Sequence, residues 1–75
     1  MEKINAVSVI EMANSDIIRV ISFTDNEEGN TEAKNLFRSM LPPPPRGPDL
    51  KDVEFFIDEG YWEQGSYQLF LTHSS

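Results

Sequence analysis

The feature that most constrains this chain is a run of four prolines, Pro42 to Pro45, just past its midpoint. Each proline disfavours the helical conformation of the residue before it, so a helix arriving from the N-terminal side must end at Leu41. Consecutive prolines favour an extended polyproline II segment. With 75 residues in total, neither half of the chain is long enough to bury a core alone. We therefore expect one small domain over residues 1–75, with residues 42–48 as a stiff connector inside it.

Two runs with the composition of β-strands open the chain. Residues 4–12 and 17–24 are rich in β-branched side chains, which suit a pleated and half-buried surface. Residues 14–16 between them (Asn-Ser-Asp) are typical of a tight turn. The pattern therefore predicts an antiparallel β-hairpin. Strict alternation along the second run predicts that four residues share one face: Ile17, Arg19, Ile21 and Phe23.

The apolar period changes from two to about 3.6 residues after Asp25. Five apolar residues then recur at helical spacing: Ala33, Leu36, Phe37, Met40 and Leu41. Gly29 favours a helix start near Asn30 and Thr31, and the glutamates around that point complement the positive end of a helix dipole. The pattern predicts one amphipathic helix that ends at Leu41 and covers a face of the sheet.

Residues 49–59 allow two interpretations. As a helix, the segment places four apolar residues on one side: Leu50, Val53, Phe56 and Ile57. Asp49 is then a suitable N-cap, and Gly60 stands where a left-handed terminator belongs. As a strand, the segment would point Phe56 outward among acidic residues. The capping residues favour the helix, and the strand remains the alternative.

The C-terminal residues predict a further strand. Residues 67–73 alternate in a β-rich composition, and residues 63–66 (Glu-Gln-Gly-Ser) form a turn with Gly65 available for a positive φ. Residues 61–63 can form a short strand leading into this turn. The chain is therefore expected to be α+β: a three- or four-stranded, mainly antiparallel sheet packed by one or two helices, in the order ββααβ or ββαββ.

Charge and composition exclude several classes of protein. The chain has 6 Lys plus Arg and 13 Asp plus Glu, a formal net charge of −7, so it repels phosphates and we expect no direct nucleic-acid binding. No apolar stretch approaches the roughly 18 residues of a membrane span, and the N-terminus lacks the blocks of a secretory signal. We therefore expect a cytoplasmic protein that does not bind membranes. There is no cysteine to form a disulfide or a thiolate zinc site.

The inventory of reactive groups is thin. His73 is the single histidine, so any Ser-His relay would have to use it, and a metal site built from several histidines cannot form. The acidic stretch at residues 25–30 resembles a calcium loop, but its glycine is misplaced and Leu36 stands at the twelfth position, where a glutamate is needed. The glycines never take a phosphate-loop spacing. We expect no catalytic residue, no cofactor and no metal site, hence no enzyme.

Aromatic and acidic residues are concentrated together in the C-terminal half. Six of the eight aromatic residues lie there, and residues 52–63 contain five acids and no base. Aromatic anchors among carboxylates suit a protein partner with a basic surface, such as a nucleic-acid-binding protein that a small acidic inhibitor or regulator would block. The residues expected to contact this partner are Asp58, Glu59, Tyr61, Trp62 and Glu63. Of Tyr61 and Trp62, one should point outward because consecutive strand residues face opposite sides.

Two alternatives to this acidic binding module remain open. Small sheets with exposed edges often pair across a two-fold axis, so the chain could be a structural domain that self-associates as a homodimer. The segment from Pro42 to Arg46 also contains a PxxP pattern followed by a base, the general format that SH3 and WW grooves bind. The base directly follows the second proline of that pattern, whereas the format places it one residue further on. The interpretation as a rigid spacer is therefore favoured over binding to such a groove.

Overall fold

The computed structural model describes residues 5–74 and confirms the α+β class. The elements in chain order are β1 (Ala6–Ala13), β2 (Asp16–Thr24), α1 (Glu27–Met40), α2 (Val53–Glu59), β3 (Tyr61–Gln64) and β4 (Tyr67–Ser74), with a 3-10 turn at Leu50–Asp52. All neighbouring strands are antiparallel, and the sheet has the order β2-β1-β4-β3. The order ββααββ combines the two predicted alternatives, because residues 53–59 form a helix and residues 61–64 a fourth strand.

The predicted hairpin forms with a two-residue turn. Asn14 and Ser15 have φ values of 53° and 70°, and this pair of left-handed residues matches the right-handed twist of the flanking strands. Asparagine tolerates this conformation better than most residues do. The turn predicted from residues 14–16 is therefore confirmed.

A bulge in β2 overturns the predicted alternation of that strand. Glu11 opposes Arg19, but the next residue, Met12, opposes Ile17, so Ile18 is an additional residue in β2. The prediction that Ile17 shares a face with Arg19 is therefore wrong. One extra residue reverses the alternation on one side of the bulge, and Ile17 lies with Met12 on the opposite face.

Helix α1 begins earlier than its sequence predicts. Asn26 is the N-cap, and its side-chain oxygen accepts a hydrogen bond of 2.7 Å from the Gly29 N–H. The expected start near Asn30 is wrong because Gly29 serves close packing inside the helix: a Cβ there would lie 1.8 Å from the Thr24 carbonyl oxygen. The predicted end is confirmed, with Leu41 in an extended conformation before Pro42.

The core lies between the two helices and one face of the sheet. It contains eight residues: Val7, Val9, Ala33, Phe37, Ile57, Trp62, Leu69 and Leu71. The apolar stripe predicted for α1 is confirmed, since Ala33 and Phe37 are fully buried and the other three residues of the stripe pack against the core. A helix over residues 53–59 is also confirmed, and Gly60 ends it at a φ of 73°.

Two details predicted for residues 49–59 are wrong. Leu50 was expected on the buried side, but it is 82% exposed. It lies in the 3-10 turn before α2. Because such a turn has 3.0 residues and not 3.6, Leu50 does not share the buried side that α-helical spacing assigns to it. Asp49 precedes this turn without a capping hydrogen bond from its side chain.

The proline-rich connector is a compact turn, and the predicted polyproline II extension is wrong over its centre. The Gly47 N–H donates to the Pro43 carbonyl oxygen at 3.1 Å, and a Cβ on Gly47 would lie 1.7 Å from the Pro42 carbonyl oxygen. The chain has to reverse here because α2 packs back against α1. This tertiary requirement overrides the local preference of the prolines for an extended segment.

The molecule is flat and elongated. Its principal extents over Cα atoms are 46 × 27 × 15 Å, and the shortest fits one sheet with one layer of helices. The second face of the sheet therefore carries no packed element within residues 5–74. Over the same residues, no helix has both the length and the apolar character that a membrane crossing needs.

Candidate protein-binding surface

The sheet face opposite the helices, here called the open face, is built from alternate residues of all four strands. By register it carries the side chains of Ala6, Ser8, Ile10, Met12, Ile17, Val20, Ser22, Thr24, Tyr61, Glu63, Gln68, Phe70, Thr72 and Ser74. A 2.7 Å hydrogen bond between the Ser8 and Ser22 hydroxyls confirms that opposed residues share this face. Among these side chains, Glu63 alone carries a formal charge.

An apolar row crosses the open face from one edge to the other. Val20 on β2 opposes Ile10, Ile10 opposes Phe70, and Phe70 opposes Tyr61 on β3. Val20 is 53% exposed, and Ile17 in the neighbouring row is 61% exposed. The row on the other side is polar. The apolar residues therefore form a contiguous band and are not scattered over the face.

Tyr61 is the exposed aromatic residue at the β3 end of this row. Its ring centroid lies 5.1 Å from that of Phe70, and its hydroxyl donates a 2.5 Å hydrogen bond to the Glu63 carboxylate. This hydrogen bond is the main reason that the pKa of Tyr61 is raised, with burial adding to it. The phenol therefore stays protonated and donating at neutral pH. The ring is held in one orientation before any partner arrives.

Asp58 and Glu59 lie on the other side of the β3 edge, in the last turn of α2. They line a cleft of about 340 Å³ together with Asn30, Lys34 and His73. Both carboxylates lie at the negative end of the helix dipole, and no basic residue in the last turn of α2 compensates for them. Gly60 then leads directly into β3, which brings these acids and Tyr61 to the same edge of the sheet.

Among residues 5–74, no cation forms an ion pair with the carboxylates of this edge. The ion pairs among residues 5–74 involve other acids: Arg19 with Glu11 at 3.5 Å, Arg38 with Glu54 at 2.8 Å, and His73 with Asp25 at 4.0 Å. Lys34 shares the cleft with Asp58 and Glu59 without forming an ion pair with either. A cation from another molecule can therefore approach this edge.

Trp62, the fifth residue of the predicted contact set, lies in the core and is 5% exposed. Its ring makes an edge contact with Tyr67, with centroids 6.1 Å apart. The structure thus brings four of the five predicted residues to one edge and places Trp62 beneath them. Sequence alternation showed that one of Tyr61 and Trp62 faces outward, and the pairing of Trp62 with Leu69 identifies Tyr61 as that residue.

Sequence reasoning missed the remaining residues of the open face, above all Ile10, Val20 and Phe70. A usable signal was present: β2 carries apolar residues on both of its faces, which a strand covered on one side alone does not need. Identifying the open face still required knowing which side the helices pack on.

The other end of the covered face carries a polar cluster of Glu11, Arg19 and Tyr67. Glu11 accepts a hydrogen bond from the Tyr67 hydroxyl and pairs with Arg19. Burial, followed by the hydrogen bond to Glu11, raises the pKa of Tyr67 to about 12. Each member of this cluster therefore has its partner within the chain.

His73 and the proline-rich segment each border a cleft. His73 Nε2 lies 2.8 Å from the Asn30 side-chain oxygen, on the exposed side of the cleft described above. Pro42, Pro43 and Pro44 line a separate cleft of about 360 Å³ with Leu50. Within residues 5–74, no three His, Asp or Glu side chains are grouped to hold a metal ion, and no buried polar side-chain atom lacks a hydrogen bond.

Comparison of this chain with protein-family models, with curated proteins and with solved structures yields no match.

Proposed function

We propose that this protein is a non-enzymatic binding module that docks on a basic surface of another protein. Its contact surface is the acidic edge, defined as Asp58, Glu59, Tyr61 and Glu63. The observation that carries the proposal is the exposed Tyr61 ring, oriented by Phe70 and Glu63 and bordered by carboxylates that make no ion pair among the described residues.

Tyr61 is the expected anchor of the contact. A tyrosine contributes a large contact area and loses few rotatable bonds on binding, which is why tyrosines are common among the residues that dominate binding energy. The hydrogen bond to Glu63 already fixes the ring in the free protein. The entropy cost of ordering this side chain is therefore reduced before association.

The carboxylates supply attraction and selectivity for a cationic partner. At a net charge of −7, the whole chain steers basic molecules toward itself, and the acids of this edge lie beside the anchor. Asp58 and Glu59 also oppose the dipole of α2, an arrangement that costs stability. A local arrangement that is unfavourable for folding is expected where a surface is selected for binding.

Nucleic-acid-binding proteins are the partner class that fits this chemistry best. They bind phosphates through clustered lysines and arginines, and a patch of carboxylates can occupy such a site. The module would then act as a small inhibitor or regulator of that partner. The proposed setting is the cytoplasm. The chain has no cysteine, so its fold does not need the oxidising conditions under which disulfides form.

Binding can be tested with two variants that remove the same number of charges. The first, Asp58→Asn with Glu59→Gln and Glu63→Gln, neutralises the acidic edge. The control, Glu28→Gln with Glu32→Gln and Asp49→Asn, neutralises three exposed acids elsewhere. Proteins captured by the immobilised chain from its source cells are eluted with salt, identified and titrated against each form. We expect the edge variant to bind at least about tenfold more weakly than the control.

Tyr61→Ala tests the anchor separately from the charges. Loss of a central aromatic contact typically costs about 2 kcal/mol or more, which is roughly a 30-fold weaker affinity. Equal weakening by the edge variant and its control would contradict the proposal, because only the total charge would then matter. Capture that does not change with salt concentration would contradict it as well.

A further inference from the structure

We infer that a second copy of this chain packs face to face on the open face, forming a two-fold symmetric dimer. The contact is centred on the apolar patch, defined as Ile10, Met12, Ile17, Val20 and Phe70. This inference goes beyond the proposed function, because the partner is a second copy of this chain and the contact is centred on the apolar patch. The two surfaces share Tyr61, so the dimer and the basic partner exclude each other at that ring.

The patch is exposed to an extent that a covered sheet would not show. Ile17 and Val20 are 61% and 53% exposed, and they adjoin Ile10, Met12 and Phe70 across the strands. Contiguous apolar groups on a protein surface mark interaction sites more often than isolated ones do. Sheets with one open apolar face are commonly covered by a second sheet in a sandwich.

The distribution of charge favours a second copy over a basic partner at this patch. The patch has no carboxylate that could attract a cation: Glu63, the charged side chain of the open face, lies at its β3 edge, and the acids of α1 and α2 lie on the helix side of the sheet. In a face-to-face dimer the sheets are about 10 Å apart and the helix layers lie outermost, roughly 30 Å from each other. That separation is several times the Debye length of about 8 Å at physiological salt, so two copies at −7 can associate without strong repulsion.

The apolar row is complementary to itself under a two-fold axis that runs along the strands. This axis reverses the strand order, so that β2 lies over the partner's β3 and β1 over the partner's β4. Val20 and Ile10 in one copy then meet the aromatic half of the row in the other, Tyr61 and Phe70. Contact between the same patch in both copies is what a closed dimer requires.

The available area is sufficient for a weak dimer. Three strands of about eight residues and β3 with four, about 4.8 Å apart and at 3.3 Å per residue, give roughly 450 Å² on each copy. The pair buries roughly 900 Å², which is just below the roughly 1,000 Å² of a stable specific interface and suits a weak, transient one. We therefore expect association that depends on concentration in the micromolar range or above.

Sedimentation velocity over a concentration series tests the inference without any other protein. We expect the 8.6 kDa chain to shift from monomer to dimer as its concentration rises. Phe70→Glu should remain monomeric, whereas Thr31→Glu should dimerise like the unmodified chain. Both substitutions add one negative charge, but Phe70 lies in the apolar patch and Thr31 is exposed on α1, on the other side of the sheet.

A second pair guards against misfolding of the Phe70 variant. Val20→Glu is expected to be monomeric and Asn35→Glu dimeric. Val20 is exposed on β2 and Asn35 is exposed on α1, so the fold should tolerate either change. A chain that stays monomeric over the whole series would overturn the inference. So would a dimer that persists in Phe70→Glu, because it would indicate pairing through the β2 edge, and so would equal loss of dimer in both controls.

Discussion

The two faces of the sheet carry similar apolar residues in very different environments. Val9, on the covered face, opposes Ile21 and Leu71 and is 1% exposed. Its neighbour Ile10 opposes Val20 and Phe70 on the open face, where Val20 is 53% exposed. Composition does not distinguish the two rows, and the position of the helices does. An apolar row without a covering layer is therefore better explained by an intermolecular contact than by the core.

The largest effect is expected for the residue that joins the helix layer to the covered face. Phe37 is fully buried at the centre of the core, so Phe37→Ala should lower the free energy of unfolding by about 3–5 kcal/mol. Phe55→Ala, at a side chain that is 59% exposed, should change it by less than about 0.5 kcal/mol. Urea unfolding of both variants measures the difference. Similar losses would show that α1 does not organise the core.

The same substitution made on each face should give unequal losses. Val9→Thr places a hydroxyl in the core and should cost about 1–3 kcal/mol. Val20→Thr exchanges two β-branched residues at an exposed position and should cost less than about 0.5 kcal/mol in the monomer. Thermal unfolding at a concentration below the dimerisation range is the appropriate measurement. A costly Val20→Thr under those conditions would mean that the open face is covered within one chain.

Local sequence patterns predicted the elements of this fold well. Asn14 and Ser15 predicted the hairpin turn, the helical stripe through Phe37 predicted α1, and Gly60 predicted the end of α2. Each of these depends on residues close together in the sequence, so the relevant physical preferences act within one turn or one strand. This locality explains why the α+β class could be identified before the strand order was known.

Features that depend on packing between elements could not be predicted from the sequence. Gly29 lies inside α1 because it packs on the Thr24 carbonyl, and the prolines turn because α2 must return to α1. The bulge at Ile18 leaves no mark on the apolar pattern, since isoleucine suits either face. The residues of the acidic edge were predicted from the sequence, but which of Tyr61 and Trp62 is exposed was not. Only the pairing of β3 with β4 shows that Tyr61 faces outward and Trp62 lies in the core.

Alkaline pH should destabilise the fold through Tyr67 on the covered face. Tyr67 has its pKa raised to about 12 in the folded chain, whereas a tyrosine in the unfolded chain titrates near 10. Its contribution to stability is therefore complete below pH 10 and is lost as the pH rises through about 12. Thermal unfolding followed across this range should show a decline that is reduced in Tyr67→Phe. The same decline in Tyr67→Phe would assign it to other groups.

The smallest effect concerns the acidic edge and has opposite signs for folding and binding. Glu59 faces the negative end of the α2 dipole, so Glu59→Gln should raise the free energy of unfolding by about 0.3–0.5 kcal/mol. Glu28→Gln, in the first turn of α1, removes a favourable dipole interaction and should lower it by a similar amount. Paired urea titrations at low salt measure the two changes in the free energy of unfolding.

If Glu59→Gln also weakens binding of the basic partner, this acid is retained at a cost to stability because it binds. If it stabilises the chain and leaves binding unchanged, Glu59 does not belong to the acidic edge, and the contact is confined to Tyr61 and its remaining acidic neighbours.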